Sequence, residues 1–108
     1  MQLSQAEISQ LNPQQYLVSG TVDFSTAPEL VRHALIFFKA DKESAVNAVE
    51  IDLSKIVVCN SAGLALMLEM VRDAKTNNID VKFKNLPDTL LTIAKAYGVE
   101  SEIRDISQ

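Results

Sequence analysis

Polar and apolar residues alternate from Tyr16 to Val22, with Tyr16, Val18 and Val22 on one side and Ser19 and Thr21 on the other. That is the two-residue period of a strand with one buried face. Gly20 falls inside it and marks a bulge or turn. A weaker strand precedes it over Ala6 to Leu11. After Asp23 the period changes. Ser25 and Thr26 are of cap type, Pro28 suits a first helical position, and Leu30, Val31, Ala34, Leu35 and Phe38 recur at helical spacing, which predicts a helix ending near Lys39 to Asp41.

Residues Lys42 to Asn47 read as a polar loop. Val49, Ile51 and Leu53 then alternate with Glu50 and Asp52, a strand with one buried and one charged face. From Ala62 to Thr76, Leu64, Met67, Leu68, Val71 and Ala74 form one stripe, and Glu69, Arg72, Asp73 and Thr76 the opposite one. Asn77 and Asn78 stop this second helix, and Val81 and Phe83 carry the next strand. Pro87 opens a third helix bearing Leu90, Leu91, Ile93, Ala94 and Tyr97, with Gly98 at the C′ position. Residues Ile103 to Ile106 read as a short final strand or tail.

The order β-β-α-β-α-β-α predicts an α/β layer fold, a small sheet with amphipathic helices packed mainly on one face. A chain of 108 residues suits one domain. Apolar residues make up 47% and charged residues 22%, an ordinary globular balance. The longest apolar run, Ile56 to Leu68, contains Asn60, Ser61 and Gly63 and is shorter than the roughly 20 residues a spanning helix needs. Direct membrane insertion is therefore not expected.

The opening MQLSQAEISQ has no basic, apolar and small-residue succession of a secretion leader. The lone Cys59 cannot form an internal disulfide, which agrees with a reducing cytoplasm. Ten basic against 14 acidic side chains give a net charge of −4, with no basic cluster to neutralise nucleic-acid phosphates.

The chemistry concentrates in CNSAGLALMLEM, residues 59–70. Asn60 or Ser61 can cap the helix that follows. Gly63 lets the backbone approach a neighbour closely. Ala62, Ala65 and Leu66 make the first turn of the otherwise polar face apolar, as at a protein docking site or at a second buried contact. A nucleophilic Ser61 lacks a base: the single histidine, His33, falls on the polar side of the first helix near Glu29, and glycines do not bracket the serine as in G-x-S-x-G. His33 also lacks companions for a metal site. Cys59 reads as a small buried hydrophobe whose thiol a helix N-terminus could activate. Gly20, Gly63 and Gly98 are too far apart for a phosphate loop. No catalytic residue, metal or cofactor is expected.

The stretch IDLSKIVVCNSAGLALMLEMVRDAKTNNIDVKF resembles the STAS domain of anti-sigma factor antagonists and anion transporters, in which an I-D-L-S strand and a short apolar link lead to D-[ST]-[SGA]-G-L at a helix start. Here these are Ile51 to Ser54 and Asn60 to Leu64, and SGTVD, Ser19 to Asp23, is similar to the family's S-G-x-[LV]-D. The resemblance covers residues 16–99. IAKAYGV, Ile93 to Val99, is further similar to the LAK-x-Y run of the stand-alone STAS subunits of Mla-type phospholipid-transport ABC complexes.

The resemblance implies a cytoplasmic, non-enzymatic binding subunit, peripheral to the inner membrane through its partner. Ser61 would be the partner-docking residue or phosphoacceptor, and Asp23, Asn60, Ala62, Gly63, Ala65 and Leu66 the surrounding surface. The partner it implies would be the ATPase of the transporter or, alternatively, an anti-sigma factor kinase; a homodimer is left open. Asn60 stands where the pattern has an acid. A kinase built around that carboxylate meets an amide here, which favours constitutive docking over a phosphorylation cycle. For Asp23 a plain turn role before the helix is the equal alternative.

Overall fold

The computed structural model describes residues 6–108; the first five residues of the stretch read for a leader lie outside them. Strands β1 (Glu7–Asn12) and β2 (Gln15–Val22) form an antiparallel hairpin. Helix α1 (Ala27–Glu43) connects β2 to β3 (Ala48–Cys59), and α2 (Ser61–Thr76) connects β3 to β4 (Asp80–Lys84). Both of these strand pairs are parallel, so the sheet is mixed with spatial order β1-β2-β3-β4. Helices α3 (Asp88–Ala96) and α4 (Glu100–Asp105) complete the chain.

One face of the sheet carries the core. Tyr16, Val18 and Val22 of β2, Val49, Ile51 and Leu53 of β3, and Val81 and Phe83 of β4 are buried. Gln15, Glu50, Asp52, Lys82 and Lys84, the intervening residues, keep solvent contact. Each helix supplies an apolar stripe to this floor: Leu30, Ala34 and Phe38 from α1, Met67, Met70 and Ala74 from α2, Leu90 and Ala94 from α3, Ile103 from α4. The two-residue and 3.6-residue periods thus converge on one layer, as expected for amphipathic helices over a half-buried sheet.

Gly20 has φ 95°, and the β2–β3 register shifts between Gly20 and Thr21. This is the bulge expected from the sequence, in a conformation that a side chain would strain. Gly98 follows the α3 cap residue Tyr97 with φ 75°, the expected C′ position.

Four elements depart from the sequence reading. Helix α1 continues to Glu43 because Asp41 is buried and extends the inward stripe of Leu30, Ala34 and Phe38. Strand β3 runs on to Cys59, absorbing the apolar link, since its far half pairs with β2 from Ser19 to Val22. The tail read as a strand is mostly α4: Val99 and Ile103 lie one turn apart, and Arg104 pairs with Glu100 at 2.8 Å. Beyond α4, Ser107 forms an isolated bridge to Phe83, where Phe83 N donates to Ile106 O at 2.8 Å and Gln108 N to Phe83 O at 2.8 Å.

The fourth departure concerns α2. Its buried face is Ala62, Gly63, Leu64, Leu66, Met67, Met70 and Ala74, whereas Leu68 is 41% exposed. Of Ala62, Ala65 and Leu66, read as a docking patch or a second buried contact, only Ala65 is exposed; Ala62 and Leu66 are buried on the side of α2 that packs toward α1.

Candidate functional site

The start of α2 is built by β3 and Asn60. Asn60 N donates to Val22 O at 3.2 Å, tying the end of β3 to β2, and Asn60 Oδ1 accepts from Ala62 N at 2.8 Å. Asn60 is thus the N-cap, satisfying an amide that the helix leaves free. Ser61 is the first helical residue. Among the described residues its hydroxyl makes no hydrogen bond, and the residue is partly exposed.

Behind it, Gly63 presses on Cys59. A methyl at Gly63 would overlap Cys59 Sγ and approach Leu90 Cδ1 to 3.3 Å. The expected close approach therefore has a named partner. Cys59 Sγ donates to Asn60 O at 3.4 Å, and burial pushes its thiol up despite the Gly63 N–H beside it. Loss of water outweighs that hydrogen bond.

Asp23 holds the turn into α1. Its Oδ1 accepts from Ser25 Oγ at 2.7 Å, Ser25 N at 2.9 Å and Thr26 N at 3.1 Å. These bonds, the Ser25 hydroxyl first, hold the carboxyl below the usual range. Thr26 takes the N-cap position expected of it, but its side chain makes no cap bond; Asp23 ties down the turn that leads into the helix. Thr26 Oγ1 instead accepts from Asp23 N at 3.0 Å and donates to Thr21 O at 2.9 Å. The consequence lies at the neighbouring position, where the turn projects Phe24 into solvent, 70% exposed.

Asp52 of the I-D-L-S stretch performs similar work where β4 ends. Its Oδ1 accepts from Ser54 N at 2.8 Å and Asn85 Nδ2 at 3.1 Å. Burial alone would raise its pKa, but the hydrogen bonds from Ser54 and Asn85 and the charge of Lys84 hold the carboxyl low.

Two apolar recesses flank the exposed side of α2. One, of about 230 Å³, lies toward α1 and is lined by Phe24, Ala27, Val31, Ala62 and Leu66, with Glu69 at the rim. The other, of about 490 Å³, lies toward the end of α3 and is lined by Leu64, Leu68, Tyr97 and Val99, with Ser61 at its edge. Ala65 borders both. Tyr97 is 63% exposed although it was expected on the buried stripe of α3.

Of the residues singled out by sequence, the structure places Ser61 and Ala65 on this face, has the buried Ala62 and Leu66 line one recess, and sets the exposed Asn60 as the cap at its start and Gly63 as a packing contact beneath it. Sequence reasoning missed Phe24 and Tyr97. An aromatic inside the polar turn DFST and another at the last residue before Gly98 were the available signals.

His33 lies on the exposed side of α1, its Nε2 3.5 Å from Glu29 Oε2. Among the described residues no three His, Cys, Asp or Glu side chains converge as metal ligands. No helix of the described residues is long and apolar enough to cross a membrane.

The family model described as "Mlab, STAS domain" matches residues 9–105. The chain is 30% identical over 76 residues to the intermembrane phospholipid transport system binding protein MlaB of Escherichia coli (strain K12), covering 69% of this chain and 78% of that protein. The MlaB of Shigella flexneri gives the same identity and coverage. Among solved structures, the unphosphorylated anti-sigma factor antagonist SpoIIAA superposes with a TM-score of 0.65 at 11% identity, over 95% of this chain and 85% of that one. An anti-sigma factor antagonist from Mycobacterium paratuberculosis gives 0.63 at 18% identity, over 93% and 82%. These two likenesses concern the fold.

Proposed function

The chain belongs to the STAS domain family, in its MlaB-like branch, and on that premise we propose that it is a non-catalytic subunit of an intermembrane phospholipid-transport system. In this reading it docks on the cytoplasmic ATPase of the ABC transporter and regulates it, contributing to lipid asymmetry of the outer membrane. The chain is then peripheral to the inner membrane through that partner, and acts as a single domain.

The observation that carries the reading is the apolar face around Ala65. Phe24, Leu68 and Tyr97, exposed by 70%, 41% and 63%, surround two nearly wholly apolar recesses with the free Ser61 hydroxyl at the edge. Large side chains held in water next to apolar recesses have no role in the core; burying them against a partner is favourable by about 25 cal/mol per Å². The family likeness to MlaB supports a transporter as that partner.

Binding of the purified chain to the ATPase of the same system tests this. Ser61→Glu places a carboxylate at the edge of an apolar contact, where losing water costs it affinity, about tenfold for each 1.4 kcal/mol. Undiminished capture of the ATPase by Ser61→Glu rejects docking through this face.

A second reading, an anti-sigma factor antagonist switched by phosphate on Ser61, is supported by one observation, the unengaged Ser61 hydroxyl. Asn60 weighs against it, because the side chain is committed to Ala62 N and offers an amide where the family pattern has an acid. Incubation with anti-sigma kinases and ATP discriminates: stoichiometric phosphate on Ser61 favours this reading, and an unmodified chain removes it.

A further inference from the structure

Resting on the docking role proposed above, we infer that the partner presents an amphipathic helix whose two apolar side chains straddle Ala65, one entering each recess, with a basic residue beside Glu69. The argument begins from the shared wall. Ala65 is exposed, yet it borders both recesses, so a single methyl group is the ridge that separates them. Every larger side chain at this position narrows both recesses at once. Alanine is thus the residue that decides what this face admits.

The shape selects the occupant. A flat sheet edge would meet the ridge, whereas a helix crossing α2 sets apolar residues one or two turns apart into separate depressions, as helix-in-groove recognition does with anchors at i, i+3, i+4 or i+7. Phe24 lines one recess and Tyr97 the other, so each recess offers an aromatic ring as well as α2 to an inserted side chain.

Charge sets the direction of the partner. Glu69 is the one charged residue lining either recess. It pairs with Arg72 at 2.9 Å with both side chains partly exposed, and an exposed pair of this kind contributes little. A lysine or arginine on the incoming helix can therefore share or replace Arg72 without leaving a buried charge unpaired.

The test measures affinity of the purified chain for the ATPase subunit of its own system, together with thermal unfolding of each variant. Ala65→Trp fills the ridge and is expected to weaken binding at least tenfold while the unfolding midpoint stays put, because Ala65 is exposed. Ala65→Ser keeps the ridge low and is expected to bind within about threefold of wild type. Glu69→Lys is expected to weaken binding, with recovery when the facing lysine or arginine of the ATPase is changed to glutamate. Should Ala65→Trp unfold early, Ala65→Glu gives the same answer.

If the wild type binds the ATPase and Ala65→Trp binds it equally well, straddling is wrong and the docking reading stands. A wild type that does not bind the ATPase removes the docking reading itself. Sedimentation that shows a wild-type dimer broken by Ala65→Trp assigns the face to a second copy and overturns the partner helix.

Discussion

Tyr16 Oη donates to Asp41 Oδ2 at 2.5 Å in the interior, joining β2 to the last turns of α1. Tyr16 is 1% and Asp41 5% exposed, and the Phe37 ring packs at 5.0 Å between centroids against the tyrosine. Burial first, then the hydrogen bond and charge of Asp41, pushes the tyrosine pKa well above its usual range.

Tyr16→Phe leaves the ring in place and removes the donor from a buried carboxylate, which costs about 1–3 kcal/mol. The pH dependence has a definite sign. A folded-state pKa raised above the unfolded value of about 10 means the stabilisation is full below that pH and is lost above it, as the unfolded chain gives up the proton first. Denaturation from neutral to strongly alkaline pH is expected to show wild-type stability falling more steeply than that of Tyr16→Phe. Parallel slopes would place Tyr16 outside this linkage.

Gly63→Ala forces a methyl onto Cys59 Sγ, an overpacking of the kind that costs about 1–3 kcal/mol. In a Cys59→Ala background the same change should be nearly neutral or stabilising, because alanine is favoured over glycine in a helix by about 1 kcal/mol. Urea denaturation of the four proteins in the cycle measures the coupling. Additive changes would mean that the two residues do not meet.

Asn60→Ala removes the acceptor of Ala62 N and is expected to cost about 1 kcal/mol. Asn60→Asp keeps that acceptor and adds a negative charge at the positive end of α2, which should hold stability level or raise it by about 0.3–1 kcal/mol at low salt. Thermal melts at two ionic strengths separate the terms. A loss of stability in Asn60→Asp that salt does not change would contradict the capping geometry.

Leu66 and Leu68, two residues apart, should separate stability from binding. Leu66 is 3% exposed, and its change to alanine is expected to cost about 2–5 kcal/mol of folding stability. Leu68→Ala should leave the melt within about 0.5 kcal/mol, as for ordinary surface changes, and lower affinity for the ATPase. Equal stability losses at the two positions would mean that Leu68 belongs to the core.

The patterning of Tyr16 to Val22, Val49 to Leu53 and Val81 to Phe83 determined the strands, because a sheet with one buried face imposes strict alternation. Asn60, Gly63 and Gly98 were legible as cap, close-contact and C′ residues, since their chemistry acts over a few neighbouring positions. The IDLS, NSAGL and SGTVD stretches carried the family, and the core layout followed from them. Local pattern could not say that Asp41 would be buried, because its partner Tyr16 is 25 residues away. Nor could it say that Leu66 faces inward and Leu68 and Tyr97 outward. A helical stripe defines which residues share a side, while which side is covered depends on how α1 and α3 pack beside α2. The candidate docking face is decided by that packing: Ala65 is left as a ridge between two recesses only once three elements distant in sequence have closed around it.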